Sequence, residues 1–199
     1  MGDHYTAQAI IEHSPQKNTI AALPKTEAGE IYRRVSALIA ENQVYCVRAN
    51  DRDLALIFPT LALYEFYLEQ GQSQEDAVDH ALHAVVLEAL NKAETYRRYS
   101  RIPGAMWLFG QLSSLRKRKP KPNRNMYTVE VADSRHLCMT CTTCIYAQIL
   151  GKYDALDLGK GFCRVGAIRY SALRHITFTQ EHTLCQDGQP CDFTFQRAS

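Results

Sequence analysis

The chain has 199 residues, 46% of them hydrophobic and 22% charged, which fits one folded domain and is too apolar for a disordered chain. Lys and Arg number 23 against 21 Asp and Glu, and a net charge of +2 supplies no broad field for a nucleic-acid backbone or an anionic membrane. The longest apolar runs, residues 54–63 and 84–90, fall short of the roughly 20 residues needed to span a bilayer. Gly2, Asp3 and His4 open the chain without the basic-then-apolar pattern of a secretory signal. A cytoplasmic protein is expected, with a small molecule rather than nucleic acid or membrane as its partner; the oligomeric state stays open.

Residues 1–28 mix polar side chains with Pro15 and Pro24 and read as an irregular arm. Residues 29–199 read as a single α+β domain in three parts: helical (29–115), a basic connector (116–125) and a Cys-rich α/β part (126–199). Ile31, Val35, Leu38 and Ile39 recur at helical spacing within 29–48. A second helix is expected over 53–70, kinked or begun at Pro59 and ended by Gly71. Ser73 followed by Asp76 has the form of a capping box and predicts a helix to about Tyr96, with Val78, Ala81, Leu82, Val85 and Ala89 buried. Pro103 and Gly104 break the pattern before a short helix over 105–115 that holds the only tryptophan, Trp107. The connector that follows carries a block of positive charge and two prolines, poor material for helix or strand and better suited to solvent than to phosphate.

Residues 126–131 alternate as a strand, 144–156 and 160–173 suggest two helices, and 175–180 with 191–195 flank the Asp187-Gly188 turn signal as a C-terminal β-hairpin. The architecture is therefore N-terminal helices followed by a small antiparallel sheet with inserted helices.

Seven cysteines, six of them in the last third of the chain, point to thiol chemistry or metal binding rather than a disulfide framework. Cys138, Cys141 and Cys144 follow one another at spacings of three, which a tight turn could wrap around zinc or an iron–sulfur cluster if the fold supplied a fourth ligand. The alternative is a thiol-rich stretch with no cofactor, in which one cysteine acts and two pack. Asp76, Asp79, His80 and His83 share the polar side of their helix, a possible metal face that ordinary solvated residues also produce.

Three segments of the last third stand in a recognisable order: Cys144-Ile-Tyr-Ala-Gln-Ile-Leu-Gly, then Gly161-Phe-Cys163, then Glu181-His-Thr-Leu with Asp187-Gly188 leading into Cys191-Asp-Phe-Thr-Phe. This order resembles the L-2-amino-thiazoline-4-carboxylic acid hydrolase family, and the likeness reaches back through Leu61-Ala-Leu-Tyr-Glu-Phe-Tyr and Gly71-Gln-Ser-Gln-Glu-Asp-Ala. The resemblance implies a hydrolase that opens a cyclic isothiourea, 2-amino-thiazoline-4-carboxylate, to a carbamoyl-cysteine. A family position that is often acidic is Gly166 here, which suits a non-catalytic, small-molecule-binding relative.

Ring opening requires a nucleophile at C2, a proton donor for the departing atom and a cation for the carboxylate. A cluster of Cys144, Cys163 and Cys191 is expected to supply the nucleophile, the sequence leaving open which one. His182 is the imidazole nearest Cys191 for proton transfer. Arg164 or Arg169 would pair with the carboxylate, and Asp192 would orient a group in the pocket, although alternation along its strand points it away from Cys191.

Overall fold

The computed structural model describes residues 5–99, 123–133 and 135–197. The helix expected over 105–115 lies outside the described residues, as does the connector before Asn123.

Residues 5–28 are not an irregular arm. Helices α1 (Ala7–Glu12) and α2 (Lys17–Ala21) form there, and Ile10, Ile11 and Ile20 are buried. Thr6 caps α1 by accepting a hydrogen bond from the Ala9 amide at 3.1 Å. These helices are too short to show a period in sequence, and burial against the core holds them. Helix α3 (Lys25–Glu41) buries Ile31, Val35, Leu38 and Ile39, the expected stripe. It stops at Asn42, whose side-chain amide turns back to the Leu38 carbonyl at 2.8 Å.

Helix α4 (Asp51–Glu69) is buried all round from Leu54 to Tyr64 and is the centre of the helical half, touching α1, α3 and α5. Pro59 sits inside it and leaves one carbonyl of the ladder without its usual donor. Helix α5 (Gln74–Tyr99) starts where expected: Ser73 Oγ accepts from the Asp76 amide at 3.1 Å and donates to the Asp76 carboxylate at 2.6 Å. Ala81, Leu82, Val85 and Ala89 are buried. His80 and His83 are exposed, and His80 is taken by Gln72 at 2.8 Å.

The sheet is antiparallel throughout. Its strands are β1 (Met126–Ala132), β2 (His136–Thr143), β3 (Ile176–Thr179) and β4 (Cys191–Arg197), in the order β1-β2-β4-β3. Helices α6 (Ile145–Lys152) and α7 (Leu156–Ser171) are inserted between β2 and β3. The fold is α+β, with its final two strands paired as expected. They are joined by the excursion 180–190 instead of a tight turn, and Gly188 takes a left-handed φ of 74° within it.

Strand β2 overturns the reading of residues 138–144 as a metal-wrapping turn. Successive side chains in a strand face opposite sides, so Leu137, Met139 and Cys141 are buried while Cys138 lies on the other face, near Thr194 Oγ1 at 4.0 Å. Cys138 is thereby separated from Cys141, and no group of three His, Cys, Asp or Glu among the described residues is arranged to hold a metal ion.

The inner face of the sheet aligns Cys141 with Cys191, Met139 with Phe193 and Leu137 with Phe195. Tyr170 from α7 packs on it, with ring centroids 5.0 Å from Phe178 and 5.2 Å from Phe195. Helix α7 also lies close against α5, because a Cβ at Gly161 would collide with Leu82. These contacts bring the sheet, α7 and the first turns of α4 and α6 around one hollow.

Candidate active site

A cavity of about 320 Å³ opens where those elements meet. Cys141, Cys144, Cys163 and Cys191 line it, and so do Arg52, Asp53, Tyr146 and Arg169. The three cysteines expected to converge thus lie on one cavity, although they come from the end of β2, the middle of α7 and the start of β4. Cys144 and Cys163 are partly exposed; Cys191 is buried.

Two further thiols complete the group. Cys141 is the direct cross-strand partner of Cys191, and Cys185, on the 180–190 excursion, is buried against Gly159 of α7. The five divide by role. Donation to their neighbouring thiols, and after it burial, push Cys141 and Cys185 far up, so both stay protonated. Cys144 and Cys163 are held below the ordinary thiol range, in each case chiefly by a hydrogen bond from Cys185. The amides of Tyr146 and Ala147, in the first turn of α6, also favour the Cys144 thiolate, and Thr183 favours that of Cys163.

Cys191 is lowered to about 7, first by Cys141 and then by backbone amides, including that of Leu184 at 3.4 Å. Each donor thiol has a single proton and more than one taker. Cys141 can give its proton to Cys191 or to the Thr143 carbonyl at 3.2 Å, and Cys185 can support Cys144 or Cys163 but not both at once.

The two arginines separate. Arg169 lines the cavity, and its Nε is buried with no hydrogen-bond partner among the described residues. Arg164 is exposed and lines a more open groove with Lys160, Glu181 and Gln186. Cys163 borders both hollows.

His182 and Asp192 are not part of the cavity wall. His182 Nδ1 lies 2.7 Å from Asp187 Oδ2 on the exposed excursion. Asp192 accepts from the amides of His182 at 2.7 Å and Glu181 at 3.0 Å, so it fastens the start of the excursion that carries Cys185 and brings no carboxylate to the thiols.

Sequence reasoning missed Asp53. It sits in the first turn of α4 with Tyr146 Oη donating to one carboxylate oxygen at 2.9 Å and Asn125 Nδ2 reaching the other at 3.4 Å. Asn125 is fixed in turn by the Ile145 amide, which donates to its Oδ1 at 2.8 Å. Burial raises the Asp53 carboxyl above the usual range, against the opposing pull of Tyr146 and Arg52. In the sequence Asp53 looks like an ordinary acid at a helix start.

The family model for L-2-amino-thiazoline-4-carboxylic acid hydrolase matches residues 54–195. The chain belongs to this family. The matched stretch takes in Cys144, Cys163, Cys191 and Arg169 and begins one residue after Asp53. No curated protein and no solved structure matches the chain. Among the described residues no helix is long and apolar enough to cross a membrane.

Proposed function

We propose that the protein hydrolyses L-2-amino-thiazoline-4-carboxylate to a carbamoyl-cysteine at this cavity, with Cys144 as the nucleophile. The observation that carries the reading is that Cys144, Cys163 and Cys191, distant in the sequence, line one hollow together with Arg169. The family match names the same substrate class.

Cys144 lines the cavity and is partly exposed, and its thiolate is favoured by Cys185 and by the first turn of α6, which is what nucleophilic use of a thiol needs at neutral pH. Its attack on C2 of the ring forms a C–S bond. The ring C2–S bond then breaks, and the departing sulfur takes a proton. The enzyme-bound isothiouronium that remains is attacked by water, a C–O bond forms, and Cys144 leaves as thiolate. One water is consumed, and the ring nitrogen and the exocyclic amino nitrogen both stay in the product. Arg169, which lines the cavity and whose Nε has no partner among the described residues, would hold the substrate carboxylate. Cys191 lines the same cavity and, lowered only to about 7, is still partly protonated at neutral pH, so it can be the proton source for the departing sulfur. His182 is paired with Asp187 and is assigned no step.

Incubation with the thiazoline in ¹⁸O-water, followed by mass spectrometry, tests the reaction: the carbamoyl oxygen should carry the label. Cys144→Ala should lower turnover by about 10²-fold or more while the protein stays folded. Full activity in Cys144→Ala would remove the nucleophile assignment, and no product from the wild-type protein would remove the reaction.

A further inference from the structure

Among the described residues, Asp53 is the one acidic side chain on the cavity wall, and no cation lies within ion-pair distance of it. Arg52, on the same wall, attracts the Asp53 carboxylate coulombically without pairing with it, so the desolvation cost of this partly buried anion is one that a directly paired ligand cation would offset. Its two oxygens are each used once, by Tyr146 and by Asn125. A carboxylate has about four acceptor positions, so one on each oxygen remains for a forked contact. The hydrogen bond from the Ile145 amide to Asn125 and the Tyr146 contact hold the carboxylate in a fixed orientation, so little ordering is needed when a ligand arrives. Arg169, with its unpartnered Nε, lies on the same wall.

We propose that Asp53 forms a subsite for a planar N–C–N cation, an amidinium or isothiouronium group, bound through two parallel N–H···O contacts, while Arg169 takes the anionic end of the same zwitterionic ligand. The inference rests on the ring-opening reading and names what in the substrate the site recognises. Selection then follows from charge placement: a ring with an exocyclic amino group satisfies Asp53, and a ring of the same shape without one leaves the carboxylate unpaired. The raised carboxyl of Asp53 fits this arrangement, because a carboxyl and an amidine share one proton between them whichever holds it.

The test uses two small rings without a carboxylate, 2-amino-2-thiazoline and 2-methyl-2-thiazoline, titrated calorimetrically into the full-length protein. The amino compound should bind about tenfold or more tightly than the methyl compound, the usual value of a charge-assisted pair. Asp53→Asn, checked for folding by circular dichroism, should abolish the preference. Equal affinity of the wild-type protein for the two rings, or no binding of either, would overturn the subsite without need of any variant, and so would a preference that survives in folded Asp53→Asn. Turnover of the thiazoline carboxylate is measured on the same wild-type sample. Product without amino preference removes the subsite and leaves the reaction; amino preference without product does the reverse.

Discussion

A Cβ built at Gly159 would stand 2.8 Å from Cys185 Sγ and 3.1 Å from its Cβ. Helix α7 and the 180–190 excursion therefore meet at the one kind of residue that leaves room for the thiol that donates to Cys144 or to Cys163. In an ordinary helix interior, alanine in place of glycine stabilises by about 1 kcal/mol. Here overpacking of a buried sulfur should cost about 1–3 kcal/mol. Gly159→Ala is expected to be net destabilising by about 1 kcal/mol in urea melts, and the same substitution made in a Cys185→Ala background should cost clearly less, because the sulfur contact is gone while the Cβ contact at 3.1 Å stays. An undiminished destabilisation in the double variant would place the cost somewhere other than the sulfur.

Cys185 should also set the acid limb of the pH–rate profile. Its S–H is the first influence lowering Cys144 or, when it turns the other way, Cys163, so removing it raises whichever thiol it serves. A thiol whose pKa has risen holds less thiolate at any pH below the new value. Cys185→Ala is expected to lose rate near pH 6–7 and to recover toward wild-type rate as pH approaches about 9, seen as an alkaline shift of the acid limb of kcat/KM. A uniform loss across the whole range would mean that Cys185 matters for packing alone.

The thiols should separate by reactivity. Cys144 and Cys163 are partly exposed and lowered, whereas Cys46 is partly exposed but pushed up to about 11 by burial and by Asp51. At pH 7 iodoacetamide should label Cys144 and Cys163 first and Cys46 much later. Cys141 and Cys185, buried and protonated, should resist until the protein unfolds. Peptide mapping by mass spectrometry over a time course reads the order, and early labelling of Cys46 would contradict it.

How much of this was legible in the sequence depends on the range of the interaction. Periodicity revealed the stripe of α3, and the Ser73–Asp76 capping pair revealed the start of α5, because both are set by residues three or four apart. Strand β2 was hidden: Cys138, Cys141 and Cys144 at spacings of three drew attention to a shared centre, while the alternation of Leu137, Met139 and Cys141 stood in the same residues unread. The convergence of Cys144, Cys163 and Cys191 followed from the order of three motifs. Their proton donors did not, since Cys141 meets Cys191 through strand register and Cys185 arrives on an excursion fastened by Asp192. Asp53 was invisible for a similar reason, its partners Tyr146 and Asn125 being 93 and 72 residues away.

The two arginines considered for the carboxylate give opposite expectations. Arg169 faces the cavity with an unused Nε, and Arg164 lies on the open groove in solvent. Removing a charge-assisted partner from an enclosed site costs about 1.5–3 kcal/mol, or roughly tenfold to a hundredfold in affinity, whereas a solvent-exposed charge contributes at most about 1 kcal/mol. Arg169→Ala should raise KM for the thiazoline carboxylate by that larger factor and leave the affinity for carboxylate-free 2-amino-2-thiazoline nearly unchanged, because the missing contact is to the carboxylate alone. Arg164→Ala should change KM by less than about fivefold. Steady-state kinetics on the carboxylate, set beside calorimetry on the carboxylate-free ring, separates the two. If Arg164→Ala carried the larger KM effect, the substrate would have to approach the thiols from the outer groove through Cys163, the only thiol that borders both hollows among the described residues.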